Sequence, residues 1–345
     1  WVTVFFKLSE RMINIKELKK YCDPSYLTIR NDKIIINNKR LARLSKDRIK
    51  QIEQDFNIPM IYSRKYEEIS QRIGRYISKH QIISPKDHII VGLSGGKDSL
   101  ALLHLLEPYR RRFGIKIYAI TVDLNIENIR PWSETNKNID KLITHCKNLN
   151  IPHKIISYDK DVVQMSKILS ENTKGIEYSP CFSCSVVRRH ILTNFAMELL
   201  EKEIQKNENI KMDKIKICFG HTLEDNSDTI LANILKGDVI RTLEPLKHFH
   251  NSEFDYGEFK VKLQDCILIR PLLSVSEKDI IKALNECDLE YYQDKDECPY
   301  SREKGDSIRK KCHEVLGALE KDVRNIREMV ISSALSTIEH YKQAK

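Results

Sequence analysis

The sequence predicts an α/β protein with a parallel sheet of about five strands and helices on both faces. From residue 86 onward, short apolar segments rich in β-branched residues alternate with longer segments of helical periodicity. Such alternation is typical of a parallel sheet covered on both sides. Two adjacent glycines, Gly95 and Gly96, separate the first apolar run from the first helical one, which indicates a tight strand-to-helix turn.

The remaining elements follow in chain order. Residues 26–30 and 33–36 flank Asn31-Asp32 and predict a small hairpin, and residues 41–56 and 66–80 have helical periodicity with many basic side chains. Strands are then predicted at 89–91, 115–122, 153–157, 215–220 and 265–272, and helices near 100–106, 133–149, 161–169, 186–202 and 225–235. Ser276 is expected to cap a helix that begins at Glu277, and helices at 306–320 and 323–341 finish the chain. The stretches 203–214 and 247–256 are polar; the first is predicted to be a helix end and loop, the second a mobile surface segment.

Length and composition limit the function classes. The 345 residues allow about two domains, and we expect a lead-in at 1–85, an α/β domain at 86–272 and a helical region at 273–345. Met12 is the expected natural start, with residues 1–11 an extension. No apolar run reaches membrane-spanning length, so a soluble cytoplasmic protein is expected.

Charge and cysteine content limit the function classes further. The 58 Lys and Arg exceed the 49 Asp and Glu and give a net charge of +9, which favours a polyanionic partner; a lysine-rich solvated surface is the alternative. Basic residues near 40–50 could contact a phosphate backbone, or could form a solvated helix face. Nine cysteines, an odd number, argue against a disulfide framework.

The turn at residues 94–99 has the groups that bind an anion. Adjacent glycines let backbone N–H groups form a concave nest, and the N–H groups and dipole of the next helix point into the same space. Two hydroxyls, a cation and a carboxylate that suits magnesium complete the set: Ser94, Gly95, Gly96, Lys97, Asp98 and Ser99. The spacing excludes a P-loop and a dinucleotide fingerprint. A simple strand-to-helix turn with solvated charges would not need all of these groups together.

Other polar residues follow neighbouring strands. Asp123 comes after the second strand of the α/β region, and Gly220 and His221 come after a later one. Ligands of open parallel sheets bind outside the carboxyl ends of the strands. We therefore expect these residues to share one crevice with the 94–99 turn.

A cysteine pair adds a second chemical feature. Cys181 and Cys184 stand in Cys-x-x-Cys spacing just before a predicted helix, where thiols tend to have lowered pKa values and can chelate. A thioredoxin-like redox pair is the alternative, and a zinc ribbon would need a second such pair. Cys298 lies in a polar loop, and three loop-side cysteines around one crevice suggest iron–sulfur ligation with one iron left open. Cys218 and Cys266 are expected in strands of the core, and Cys146, Cys287 and Cys312 on helices.

Five motifs, in the same order, resemble those of the PP-loop ATP pyrophosphatases, and among them the tRNA 2-thiolation enzymes of the TtcA/TtuA class. They are Ser-Gly-Gly-Lys-Asp-Ser at 94–99, Cys181-x-x-Cys184, Gly220-His-Thr-Leu-Glu-Asp225, Ile269-Arg-Pro-Leu272 and Glu297-Cys-Pro-Tyr300. The resemblance covers residues 86–311 and looks more like the 2-thiouridine than the 2-thiocytidine branch. It implies an adenine nucleotide alpha-hydrolase-like fold.

The resemblance also implies a reaction and its participants. ATP adenylates the C2 oxygen of a tRNA pyrimidine, and sulfur held at a 4Fe-4S cluster displaces AMP. Cys181, Cys184 and Cys298 would be the cluster ligands, residues 94–99 with Mg²⁺ would bind ATP, and Asp98, Asp225 and Cys298 would be catalytic. The expected partners are tRNA, a sulfur donor (sulfide, a persulfide or a sulfur-carrier protein) and a second copy of the chain in a homodimer.

Three departures from the family pattern accompany the motifs. Arg188 stands where the family has a catalytic lysine; it keeps the positive charge but cannot act as a base. Glu224-Asp225 replaces a pair of aspartates, so the functional carboxylate is assigned to Asp225 first. The zinc-binding cysteine clusters of the 2-thiouridine branch are missing, since the chain has only Cys22 early and no cysteine after Cys312.

Three other readings remain open at this point. Cys181 or Cys184 could carry a persulfide without a cluster, with Cys298 resolving the disulfide. The chain could instead transfer an amine, with incidental cysteines, or could be an inactive module that binds ATP or tRNA.

Overall fold

The computed structural model describes residues 13–125, 137–173, 176–206, 210–292 and 308–343. Its N-terminal part contains α1 (Ile15–Leu18), β1 (Leu27–Ile29), β2 (Ile34–Ile36), α2 (Lys46–Phe56), β3 (Met60–Ile61) and α3 (Arg64–Lys79). The predicted hairpin is β1 and β2, which pair antiparallel, and β3 adds parallel to β2. Helix α2 begins later than residue 41, because Arg43 has φ 59° and Ser45 caps the helix by accepting the Arg48 N–H.

The central and C-terminal parts supply the other elements in order. They are β4 (His88–Gly92), α4 (Lys97–Leu106), α5 (Tyr109–Phe113), β5 (Lys116–Asn125), α6 (Lys137–Leu149), β6 (His153–Asp161), α7 (Val162–Asn172), α8 (Pro180–Lys206), β7 (Ile215–Cys218), α9 (Leu223–Leu235), β8 (Leu246–Phe249), β9 (Ser252–Asp255), β10 (Lys260–Leu263), β11 (Cys266–Ile269), α10 (Glu277–Glu286), α11 (Ile308–Leu319) and α12 (Ile326–Gln343). Ser276 caps α10 as predicted.

The α/β prediction is confirmed by a six-stranded sheet in the order β6-β5-β4-β7-β11-β8. The first five strands of that order are parallel, and β8 is antiparallel at the edge. The segment 247–256, predicted as a mobile surface, instead supplies most of β8 and all of β9, and β9 pairs with β10.

Successive side chains of a strand point to opposite faces of the sheet, and in β4 the side chains on both faces are buried. Ile89 and Val91 pack in the layer formed with α3, α4 and α10. Ile90, between them, packs in the layer formed with α7 and α8. Cys218 and Cys266 are buried in these layers, and Cys146, Cys287 and Cys312 are buried as well, as the sequence predicts.

Within the described ranges, no helix combines the length and the apolar composition that crossing a bilayer requires.

Candidate active site

The strand order creates a crevice between β4 and β7. From β4 the chain builds β5 and β6 on one side, and α8 then returns it to β7 on the other side of β4. Such a switch point opens a ligand crevice outside the carboxyl ends of the two strands. The 94–99 turn follows β4, and Gly220 and His221 follow β7, so the structure places both segments at this edge.

The turn at 94–99 forms a nest at the start of α4. Gly95 has φ 85°, a conformation that other residues rarely adopt. Gly96 is the N-cap, and no side chain bonds the first N–H groups of α4, which leaves them for an anion. Ser99 Oγ accepts the Ser94 N–H at 3.2 Å and donates to the Gly96 carbonyl at 3.1 Å, so the loop is held in shape from within.

Gly220 brings the loop after β7 against this nest. A Cβ atom at Gly220 would lie 3.0 Å from the Asp98 carbonyl carbon and 3.1 Å from the Ser99 nitrogen. Any side chain here would push on the first turn of α4. The two loops therefore form one surface only because this position is glycine.

Lys97 is placed between two carboxylates. Its Nζ lies 3.0 Å from Asp98 Oδ2 and 2.8 Å from Glu277 Oε2. Burial alone would lower the pKa of Lys97, but the carboxylates of Asp98 and Glu277 outweigh it and raise its pKa to about 12. The lysine is thus a fixed positive charge beside the nest.

Asp98 is the carboxylate with unused bonding capacity at the nest. Burial raises the pKa of Asp98 to about 6, against the lowering effect of Lys97. Its Oδ1 is buried and has no hydrogen-bond partner among the described residues. A bound cation would both satisfy this atom and return the pKa toward its ordinary value.

Asp225 is held in place by two different partners. Its Oδ2 accepts the Thr222 N–H at 2.9 Å as part of a capping box at the start of α9. Its Oδ1 accepts from Arg309 Nη2 at 2.6 Å. Arg309 is the second residue of α11, so the C-terminal helices reach the crevice at this carboxylate.

Glu224, the departure from the family pattern, is buried beside Asp225. It is 6% exposed, and its Oε2 accepts the Glu277 N–H at 3.0 Å. Burial raises the pKa of Glu224 to about 7. Glu224 therefore links α9 to the residue that pairs with Lys97.

Near the carboxyl edge, Asp123 is buried and His221 is partly buried. Burial lowers the pKa of His221 to about 4, and its Nδ1 has no hydrogen-bond partner among the described residues. Asp123 lies near the end of β5 and accepts from Ser157 Oγ at 2.9 Å. The neutral imidazole and the carboxylate are consistent with nucleotide contacts, and that role stays a prediction.

Cys181 and Cys184 lie within the first turns of α8, which begins at Pro180 and not after the cysteines as predicted. Cys181 is exposed, and Cys184 is partly buried. Arg188, also exposed, follows at a spacing that puts all three on one helix face.

The direction of α8 sets these residues at the same edge as the nest. Glu203, near the end of α8, lies 2.8 Å from Lys116 at the start of β5. Leu192 lies beside Gly92 at the end of β4. Cys184 precedes Leu192 by eight residues, about 12 Å along the helix axis, and so lies beyond the carboxyl ends of the strands.

Cys298 and the Glu297-Cys-Pro-Tyr300 motif lie outside the described residues. The described residues on either side of 293–307 nevertheless reach the crevice. Tyr292 donates its N–H to the Gly95 carbonyl at 2.8 Å, and Arg309 bonds Asp225. No group of three His, Cys, Asp or Glu side chains suited to a metal ion occurs within the described ranges.

Sequence reasoning missed several residues that shape the site. Glu277 was predicted only as the start of a helix, and Arg309 only as part of one. Both contact the crevice from more than 80 residues away in sequence, and no local pattern signals such a contact. The β9–β10 hairpin was also missed as a support, although Phe254 packs edge-on against Phe182 at 5.7 Å and so braces the start of α8.

Comparison with known proteins gives a consistent result. Residues 65–194 match the sequence profile of a family described as a PP-loop domain. The chain is 57% identical over 331 residues to a protein of Methanocaldococcus jannaschii named "Probable sulfurtransferase", covering 96% of this chain and 97% of that protein. It is 28% identical over 273 residues to the tRNA 2-thiolation protein NcsA of Haloferax volcanii, covering 76% of each.

A solved structure shares the fold. The U34-tRNA thiolase NcsA of Methanococcus maripaludis, solved with its 4Fe-4S cluster, matches with a TM-score of 0.54 at 24% identity and covers 79% of each chain.

Proposed function

This chain belongs to the PP-loop sulfurtransferase family, the family of the TtcA/TtuA-class tRNA 2-thiolation enzymes, and we propose that it replaces the C2 oxygen of a tRNA pyrimidine with sulfur, most favourably to give 2-thiouridine. In the first step the C2 oxygen attacks the α-phosphorus of ATP, and pyrophosphate leaves. In the second step a sulfur nucleophile attacks C2, and the C2–O bond breaks to release AMP. The reaction would take place in the cytoplasm.

One observation carries the proposal: the nest and the cysteine pair lie at the same edge of the sheet. Adenylation needs phosphate binding, and the nest provides uncapped N–H groups with Lys97 beside them. Sulfur transfer needs a soft nucleophile aimed at the same carbon, and Cys181 is the exposed thiol at that edge. Held together, the two substrates react as if at a high effective concentration.

Magnesium fits the nest. The buried, unpaired Oδ1 of Asp98 is the kind of oxygen ligand that Mg²⁺ takes alongside substrate phosphates. Asp98 would hold the ion, with Asp225 as the second carboxylate once its Arg309 partner is displaced. When bound, the ion would neutralise the charge that develops on the phosphates.

A 4Fe-4S cluster fits the cysteine pair as far as the described residues reach. Cys181 and Cys184 offer thiol groups on one helix face, and thiolates are the usual ligands of such clusters. Cys298 would be the third ligand, supported by the contacts of Tyr292 and Arg309 with the crevice. When bound, the cluster would present sulfur on the iron that lacks a protein ligand.

Arg188 would contribute charge without proton transfer. An arginine side chain carries a positive charge and five N–H donors but no acceptor, so Arg188 would neutralise a phosphate or the departing AMP and would not act as a base. The acid–base step would then rely on carboxylates of the crevice.

The decisive experiment treats unmodified tRNA with anaerobically purified enzyme, ATP and sulfide, and analyses the nucleosides by mass spectrometry. A 2-thiopyrimidine is expected. Asp98→Ala and Lys97→Ala should abolish AMP formation. Cys181→Ala should bind ATP normally but transfer no sulfur, whereas Cys22→Ala, which changes a thiol of the N-terminal core, should thiolate at the normal rate.

The same preparation tests the competing readings. About four iron and four sulfide ions per chain would support the cluster. A colourless protein that is fully active with a persulfide would instead support the persulfide mechanism without a cluster. Thiolation at the normal rate by Cys181→Ala would refute the cluster assignment. Absence of pyrophosphate release with ATP and tRNA together would leave a binding module without catalysis.

A further inference from the structure

A second cavity lies away from the crevice, where the N-terminal hairpin region, α3 and α5 meet. It has a volume of about 580 Å³, within the range of small-ligand pockets. Its walls include Tyr26, Asn38, Arg75, Lys79, Tyr109 and Arg112. Nothing in the proposed chemistry uses it.

The cavity is strongly biased toward positive charge. Arg75, Lys79 and Arg112 line it, and no Asp or Glu does. None of the three forms an ion pair with another described residue, although the chain has many carboxylates, and all three are exposed. Arg75 and Lys79 are four residues apart on α3 and therefore share one face. Three uncompensated cations around a concavity favour a ligand with phosphate groups.

Aromatic rings lie beside these cations. The Arg112 guanidinium carbon lies over two rings, 5.1 Å from the centre of the Tyr26 ring and 4.8 Å from that of Tyr109. Phenol rings and guanidinium groups are flat surfaces on which a nucleobase can lie, and such stacking tolerates any base. Amide and hydroxyl groups of the lining, such as Asn38, can bond base edges or ribose.

Tyr109 forms part of the cavity wall through its ring. The residue is 4% exposed, and its hydroxyl lies by Gly74 of the same wall. Burial raises the pKa of this phenol, and Arg112 lowers it in part. Tyr109 thus contributes an aromatic surface next to the guanidinium.

The cavity is separated from the crevice by the length of α4. The nest lies at the start of this ten-residue helix, whereas Pro108 and Tyr109 follow its end, about 15 Å away. A folded RNA spans that distance easily.

We infer that this cavity binds an unpaired nucleotide of the tRNA substrate, with the phosphate on Arg75 and Lys79 and the base on the Tyr26–Arg112 stack. The inference rests on the proposed function, and it assigns to the N-terminal region a substrate contact remote from the reacting base. These are binding residues, not catalytic ones. Replacing them should therefore lower the affinity for tRNA without changing the affinity for ATP.

The test compares tRNA binding by the full-length protein and three variants over a series of salt concentrations. Arg75→Ala/Lys79→Ala should weaken binding about tenfold and lower the slope of log K against log salt by about 1 to 2, one unit for each phosphate that is no longer neutralised. Arg112→Lys keeps the charge but removes the planar stack, so it should weaken binding with little change in slope. Lys202→Ala/Lys206→Ala removes the same charge at the same helical spacing from the end of α8 and is the matched control.

The outcomes separate this inference from the function on which it rests. If the wild-type protein thiolates tRNA and the Arg75/Lys79 variant binds tRNA normally, the cavity assignment is overturned and the proposed function stands. An equal loss in the Lys202/Lys206 control would mean a diffuse basic surface and would also overturn it. Saturation of the cavity by free AMP or CMP at micromolar concentration, without competition by tRNA, would identify a site for a free nucleotide instead. If the wild-type protein neither binds nor thiolates tRNA, the proposed function itself fails.

Discussion

Replacing Glu224 by Gln should stabilise the ligand-free protein at alkaline pH and leave it nearly unchanged at acidic pH. Glu224 is 6% exposed, and burial raises its pKa from 4.5 to about 7. Between these two values the folded state binds a proton that the unfolded state has released. Stability therefore falls as the pH rises through this window, and Gln, which does not titrate, avoids the loss.

The size of the effect follows from the shift. At about 1.4 kcal/mol per pKa unit, the ionised carboxylate costs the folded state about 3 kcal/mol at full ionisation. Most of it, about 2.5 kcal/mol, should develop between pH values of about 5 and about 8. The Oε1 of Gln can still accept the Glu277 N–H, so the local geometry should persist.

Urea unfolding of both proteins at several pH values measures the difference directly. Glu314→Gln, an exposed change on α11, is the matched control and should shift stability by less than about 0.5 kcal/mol at every pH. A Glu224→Gln variant whose stability relative to wild type is independent of pH would show that this carboxyl is not held protonated. The raised pKa assigned to Glu224 would then be wrong.

Three other changes test separate features. Gly220→Ala should weaken ATP binding by tenfold or more in a titration, because its Cβ would lie 3.0 Å from the backbone of α4. The control is Gly317→Ala, whose Cβ would meet nothing within 4 Å. This control should leave ATP binding unchanged and stabilise α11 by about 1 kcal/mol. Arg327→Met should cost about 3 to 5 kcal/mol in urea unfolding, because it removes the buried arginine partner of the buried Asp228 carboxylate. Adding Asp228→Leu should restore most of the loss. In metal-free protein, iodoacetamide should label Cys181 at least tenfold faster than the buried thiols. Peptide mass spectrometry measures the labelling rate of each cysteine, and equal rates would contradict the exposure of Cys181.

Local sequence patterns were enough to predict the sheet and the nest. The alternation of strands and helices, the two glycines after β4 and the Ser276 cap are each decided by residues within one or two turns of one another. The convergence of the 94–99 turn with Gly220 followed from a general property of parallel sheets. The roles assigned to Asp98, Arg188, Asp225 and Cys298 stay predictions, as do the domain limits at 85 and 272.

Long-range contacts were not predictable from local patterns. Glu277 reaches Lys97 because α10 packs against α4, and Arg309 reaches Asp225 because α11 packs against α9. The start of α8 was placed too late, because cysteines and a proline near Pro180 look like a loop. Proline is in fact well suited to the first position of a helix, where its missing N–H costs nothing. The β8 and β9 strands were missed because their exposed faces carry polar residues, which resemble a surface loop when read without their partners.

The position of α9 has a consequence for shortened forms of the protein. Asp225 in its first turn faces Arg309, and Asp228 one turn later faces His313 and Arg327, which is 1% exposed. A fragment trimmed to residues 86–272 would keep the nest but would lose His313 and both arginines, so the two carboxylates of α9 would lose these partners. The last two helices thus supply the side chains that hold the acidic first turns of α9, and we expect a shortened form to need them for stability.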